Sequence, residues 1–275
     1  MPGTVTERVA IVTGASRGIG RGIALGLGEA GWTVYLTART IRDGDSARPG
    51  SITKTANEVT RAGGRGIPVP CDHRIDTETA AVFGRVDDEQ GRLDLLVNNA
   101  TSYTTDVGPP EDAPFWELPI EIWDLMHTVG LRSHYVASIL AARLMVPQRR
   151  GLIVNVSSGG AVKYTGNVSY NVVKAGVDML TLSTAHELRQ HNITVASLWP
   201  RLTGTEGVTS NPDLFPDLSK AWSPEFSGRA VAALAVDPEV IKKTGLALDI
   251  GAVAEEYGFT DFDGRRPVPL QPLAP

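Results

Sequence analysis

Short apolar, β-branched runs recur along the chain. They alternate with longer stretches in which apolar residues return every three or four positions. The short runs predict strands at 9–13, 33–38, 66–70, 93–97, 151–156, 193–198 and 246–249. The longer stretches predict helices near 18–30, 52–63, 76–90, 119–146, 167–190 and 223–235. Such alternation is the signature of an α/β fold of the Rossmann type, a doubly wound parallel seven-stranded sheet with helices on both faces. Two regions interrupt it. Residues 41–51 are loop-like, and residues 203–222 form a longer irregular segment with Gly204, Gly207, Pro212 and Pro216. Pro267, Pro269, Pro272 and Pro275 make an extended tail of about 265–275, because proline cannot continue a helix. With no internal repeat or low-complexity linker, residues 1–275 read as one domain.

Composition narrows the classes. With 275 residues, 42% of them hydrophobic, the chain can bury a large core without staples. Lys and Arg total 26 against 31 Asp and Glu, a net charge of −5, which argues against a nucleic-acid surface. The single cysteine, Cys71, cannot form an internal disulfide and suits a reducing compartment. No stretch is apolar enough to span a bilayer, and the N-terminus lacks the basic and apolar blocks of a signal peptide. A cytoplasmic location is expected. No metal site is expected either: His186-Glu187 and His191 place two histidines five apart, not the four of a zinc-protease helix. Four Asn-x-Ser/Thr sequons, such as Asn155-Val156-Ser157, read as accidental.

Two distant motifs carry chemistry. The first strand leads into Thr13-Gly14-Ala15-Ser16-Arg17-Gly18-Ile19-Gly20. Glycine there permits positive φ and close backbone approach, and the following helix offers free N–H groups at its positive end, so the turn can cradle a pyrophosphate. The spacing is Gly-x3-Gly-x-Gly. After the second strand, Thr37-Ala38-Arg39 has Ala38 where an acid would select NAD, and Arg39 and Arg17 suit a 2′-phosphate. NADP(H) is the cofactor these residues predict. Downstream, Tyr170 and Lys174 stand one helical turn apart on one face. A free tyrosine, with pKa near ~10, is a poor acid–base group at neutral pH, and a neighbouring ammonium lowers that value. Ser157 and Ser158 end the strand just upstream.

Together these motifs resemble the short-chain dehydrogenase/reductase family, whose Thr-Gly-x3-Gly-x-Gly and Tyr-x3-Lys patterns they match in order. Detail points to one branch: Phe115-Trp116-Glu117, Ala142-Arg143-Leu144-Met145-Val146-Pro147, Ala185-His186-Glu187-Leu188-Arg189 and Ser197-Leu198-Trp199-Pro200. The likeness runs from about residue 8 to about 265. It implies an NADP(H)-dependent oxidoreductase acting on CH–OH groups, reducing bulky apolar ketones or aldehydes. By the same resemblance Tyr170 is the general acid/base, Lys174 tunes it and holds the nicotinamide ribose, and Ser158 bonds the substrate oxygen. The family's spacing back from Tyr170 selects Ser157 instead, so both serines stay open. Gly14, Ser16, Arg17, Gly18, Ile19 and Gly20 would line the dinucleotide, with Arg39, Asp72 at the adenine and Asn99 after the fourth strand. Pro200, Leu202 and Thr205 match the family's Pro-Gly-x3-Thr, with Arg201 in place of glycine.

The chain departs from the family elsewhere too. Thr101 replaces the glycine of Asn-Asn-Ala-Gly, and Gly130 stands where many members carry a catalytic asparagine. Those departures motivate a rival, a catalytically idle NADPH-binding scaffold. Tyr103, Phe115 and Trp116 on one side, with Phe215 and Trp222 of a cover at 203–222 on the other, would wall the substrate pocket. Apolar residues beyond one stripe on the two long helices (Val172, Val173, Val177, Leu180 and Leu182) predict a homodimer or homotetramer.

Overall fold

The computed structural model describes residues 8–102, 113–213, 215–266 and 268. Seven strands form one parallel sheet: β1 (Val9–Thr13), β2 (Thr33–Ala38), β3 (Arg65–Pro70), β4 (Leu95–Asn98), β5 (Gly151–Val156), β6 (Ile193–Trp199) and β7 (Ala247–Asp249). Their order is β3-β2-β1-β4-β5-β6-β7. Every residue of β1, β2 and β4 is buried, because helices cover both faces and leave no polar side. One apolar layer gathers Val12, Leu36, Val97 and Val154 under Phe226, and the other gathers Ile11, Leu96 and Ile153 under Phe83 and Met145.

The helices are α1 (Gly18–Glu29), α2 (Ile52–Arg61), α3 (Asp76–Gln90), α4 (Ile120–His127), α5 (Ser133–Gln148), α6 (Val168–Leu188), α7 (Glu206–Thr209), α8 (Pro224–Val236) and α9 (Ile250–Tyr257). Side chains start them where the pattern breaks. Asn167 Oδ1 accepts from Tyr170 N at 2.9 Å, and Ser223 Oγ accepts from Phe226 N at 3.1 Å with Pro224 following.

Three features differ from the sequence pattern. The single helix expected at 119–146 is divided: a π-helical turn, Thr128–Arg132, separates α4 from α5. Gly130 lies in that turn, where an added Cβ would sit 2.9 Å from Val173 Cγ1 and 3.4 Å from Thr101 Oγ1, so the wide turn packs where no side chain fits. The second difference is α9, hidden by its eight-residue length and started by Asp249, whose carboxylate accepts from Gly251 N at 3.1 Å. The third concerns α6: Val173 and Val177 face the core, leaving Val172, Met179 and Leu182 exposed. Among the described residues no helix is long and apolar enough to cross a membrane.

α1 and α8 meet backbone to backbone. A Cβ on Gly22 would lie 2.1 Å from Pro224 C and O, and one on Gly228 would lie 2.2 Å from Gly22 O. Gly22→Ala should therefore cost about 1–3 kcal/mol through forced separation of the helices. Gly84→Ala on α3, where nothing lies within 4 Å, should gain about 0.4–1 kcal/mol. Urea midpoints for the two variants check this, and a Gly22→Ala chain as stable as the parent would disprove the contact.

Candidate active site

The strand order reverses between β1 and β4, and the crevice beyond their carboxyl ends is where such sheets bind ligands. The chain closes that crevice tightly. Thr13 Oγ1 accepts from Asn99 N at 2.9 Å and Ala100 N at 3.0 Å, while Asn99 Nδ2 donates to Thr13 O at 2.9 Å and Gly14 O at 3.1 Å. Gly14 and Gly18 hold φ of +65° and +56°. A Cβ on Gly20 would come within 2.4 Å of Asn99 Nδ2, so glycine is needed for the loop to lie against the turn after β4. Gly18 and Ile19 begin α1, and Ser16 and Arg17 fill the loop before it.

Cationic groups flank this cradle. Arg17 Nη2 donates to Thr40 Oγ1 at 2.9 Å and Gly50 O at 3.3 Å, tying the loop to the segment after β2. Arg39 is exposed at the end of β2. Asp72 is held by Arg74, whose Nε lies 3.0 and 2.9 Å from its two carboxylate oxygens, and this partner keeps the carboxyl below its ordinary range. Beneath them, His73 is buried with Nε2 2.7 Å from Thr37 Oγ1, and burial depresses its pKa to about 4. A cradle that admits no Cβ, a helix N-terminus and the exposed guanidinium of Arg39 together fit a dinucleotide phosphate.

The second half of the site lies across β5 and α6. Tyr170 Oη donates to Ser158 Oγ at 2.9 Å. Ser157 points the other way, buried, and donates to Lys174 O at 3.2 Å. Lys174 is buried, with Nζ 3.0 Å from Val156 O and 5.5 Å from the Tyr170 ring centre. Desolvation brings its ammonium down to about 8, and Asp178, one turn further along α6, opposes that fall. For Tyr170 the largest effect is burial, which raises the phenol's pKa, with the Ser158 bond opposing it. The lowering expected from a neighbouring ammonium is therefore not the dominant effect on this tyrosine.

Two supporting groups escaped the sequence reading. Asp178 is fixed by Trp199 Nε1 at 3.0 and 3.3 Å, and its spacing of four from Lys174 was the available signal. His134 is buried and donates from Nε2 to Ala100 O at 3.0 Å, holding the turn after β4 from below; burial drops its pKa to about 3. Nothing local marks His134, since its partner is 34 positions away.

The residues expected around the substrate have different surroundings. Phe115 and Trp116 pair edge to face at 5.3 Å and are exposed. Tyr103 lies outside the described residues. Segment 203–222 is pinned at its ends: Trp222 N donates to Leu202 O and Gly204 N to Trp222 O, each at 2.9 Å. Inside it α7 is started by Thr205 Oγ1, which accepts from Val208 N at 3.4 Å. Phe215 is half-buried, whereas Trp222 stacks on Phe226 at 5.2 Å with the Arg265 guanidinium 4.7 Å over its ring. Trp222 thus packs on α8, because the core offers its ring more apolar contact than the crevice does. After Pro200, Arg201 pairs with Asp249 at 2.9 Å and also bonds Val268 O. No cluster of three metal-ligating side chains occurs among the described residues.

A family model described as short chain dehydrogenase matches residues 8–213. Dehydrogenase/reductase SDR family member 1 of Mus musculus is 46% identical over 94% of this chain and 84% of its own length. A short chain dehydrogenase structure from Mycobacterium thermoresistibile superposes with a TM-score of 0.79 at 27% identity, covering 93% of this chain and 89% of that one. A metagenomic short-chain oxidoreductase solved in complex with NADP superposes at 0.70 with 30% identity, over 88% and 95% of the two chains.

The buried histidines make the scaffold acid-sensitive. Both have folded-state values, about 4 for His73 and about 3 for His134, below the ordinary 6.5. As pH falls below 6.5 the unfolded chain takes up protons that the folded chain refuses, so their stabilising effect, full above 6.5, is lost progressively toward the folded values. Urea midpoints should fall between pH 7 and pH 5, and His73→Gln and His134→Gln should each flatten that slope whatever their absolute stability. An unchanged slope in both would refute the assignment.

Proposed function

The chain belongs to the short chain dehydrogenase family, and within it we propose an NADPH-dependent reductase of bulky apolar ketones and aldehydes. The observation that carries this reading is the 2.9 Å bond between Tyr170 Oη and Ser158 Oγ, near a buried Lys174 and past the carboxyl ends of the same parallel sheet as the glycine cradle. NADPH, when bound, supplies the hydride. Gly14, Gly18, Ile19 and Gly20 present backbone to its pyrophosphate, Arg17 and Arg39 meet its 2′-phosphate, and Asp72, Asn99, Pro200, Leu202 and Thr205 border the remaining parts.

Ser158 and Tyr170 share a hydrogen bond that a substrate carbonyl oxygen can enter, accepting from both hydroxyls. Tyr170 then gives its proton to that oxygen. The neighbouring ammonium stabilises the phenolate left behind, which matters most once substrate has displaced water. Lys174 keeps N–H donors beyond the one spent on Val156 O, and these are the groups proposed to hold the nicotinamide ribose. Phe115, Trp116 and Phe215 offer the apolar wall, with 203–222 as its cover. Exposed Val172, Met179 and Leu182 favour a homo-oligomer through α6. A reducing, cytoplasmic setting completes the proposal. An idle scaffold would bind NADPH without oxidising it when offered carbonyl compounds, which absorbance of the nicotinamide reads directly.

Tyr170→Phe should lower turnover by about 10²–10⁴-fold, the usual worth of general acid–base catalysis, while NADPH affinity is kept. Near-original turnover in that variant would overturn the mechanism.

NADPH should bind more tightly than NADH. Arg39→Asp should shift the ratio of their dissociation constants toward NADH by about 10- to 100-fold, the worth of a charged hydrogen bond. Equal affinity for both cofactors in the parent would end the NADP assignment.

A further inference from the structure

The first N–H of α1 is already bonded, and its partner is an anion. Glu206 opens α7 on the far side of the sheet sequence, 188 positions from Gly18, yet its Oε2 accepts from Gly18 N at 2.8 Å. The fit around this contact is close. A Cβ on Gly18 would lie 3.3 Å from Thr205 Cγ2 and 3.8 Å from Glu206 Oε2. The N–H groups at the start of α1 carry the positive end of the helix dipole, and in a sheet of this order they are the donors that face a dinucleotide's phosphates. To such a donor a carboxylate oxygen and a phosphate oxygen are the same kind of ligand. One N–H cannot fully serve both, and two anions brought together at that range repel.

We propose that Glu206 is an internal substitute for the cofactor's pyrophosphate, bonded to Gly18 in the cofactor-free chain and displaced when NADP(H) enters. It therefore weakens cofactor binding and stabilises the empty protein. The proposal rests on the dinucleotide reading given above. The carboxylate can leave without unfolding its own helix. The main chain of Glu206 is held separately, its carbonyl accepting from Ser210 N at 3.1 Å and Ser210 Oγ at 2.7 Å, and its half-exposed side chain has solvent to turn into. Thr205, which caps the same helix, stays in place beside the loop. The displacement is thus a side-chain rotation at a fixed backbone.

Glu206→Gln and Glu206→Ala test this with three measurements: thermal midpoint of the cofactor-free protein, the dissociation constant of NADPH by its fluorescence, and that of adenosine 2′-monophosphate by displacement. The last ligand has the 2′-phosphate but no pyrophosphate. Both variants should melt lower than the parent, because the helix N-terminus loses its anion. Both should bind NADPH about three- to thirtyfold more tightly, with adenosine 2′-monophosphate unchanged. Ordinary structural damage would lower the melting point and NADPH affinity together, so opposite signs identify competition. NADPH affinity unchanged or weakened in both variants, or equal tightening toward adenosine 2′-monophosphate, overturns the proposal. A folded parent that binds neither ligand overturns the dinucleotide reading itself, and this inference falls with it.

Discussion

The Thr13 hydroxyl is the point on which the site is built. It sits at the end of β1, accepts two backbone N–H groups from the turn after β4, and donates to Val97 O at 3.3 Å. Those bonds join the two strands at the place where the winding of the sheet reverses. The Asn99 side chain then lies against the glycine loop and donates to the Thr13 and Gly14 carbonyls. Because Asn99 occupies that volume, Gly14 and Gly20 have no room for side chains. Loop shape and the start of α1 follow from a hydroxyl, an amide and two absent Cβ atoms.

Burial shapes the second half of the site in the opposite sense, by making charge expensive. Lys174 is enclosed with a neutral carbonyl on Nζ, and Tyr170 is half-buried with its hydroxyl on Ser158. Desolvation favours the neutral form of each, so the ammonium becomes easier to deprotonate and the phenol harder. A nearby anion offsets part of this for the lysine. Asp178 lies one turn along the same helix face and is oriented by the Trp199 indole, so helical repeat brings acid, ammonium and phenol into a row at 178, 174 and 170. Past the pairing of β5 with β6, Ser157 N donates to Leu198 O at 2.9 Å and the Ser157 hydroxyl bonds Asp178, so the row reaches the serines.

Much of this was legible in the chain. Strands buried on both faces leave continuous apolar runs, and each strand was found within two residues of where those runs placed it. The glycine turn and the Tyr170–Lys174 pair were equally visible, since each depends on local spacing. What escaped depends on contacts between distant segments. The π turn at Thr128–Arg132 keeps the apolar period of an ordinary helix, and its cause is the packing of Gly130 on Val173 and Thr101. Trp222 reads as a loop aromatic because Phe226 and Arg265, which hold it, belong to other elements or lie 43 positions on. His134 looks like an ordinary helix residue and Glu206 like an ordinary loop residue until the fold brings Ala100 and Gly18 to them.

Gly130 bears most directly on whether the site is depleted or differently built. The π turn is closed by its own neighbours, Ser133 N donating to Thr128 O and the Ser133 hydroxyl to Val129 O at 2.7 Å. One turn on, His134 holds the Ala100 carbonyl through Nε2, which leaves Nδ1 as an unprotonated acceptor, buried and without a partner among the described residues. Buried polar atoms of that kind are ordinarily satisfied by ordered water. Gly130 thus leaves this region without a side chain at position 130, while the His134 ring keeps it polar.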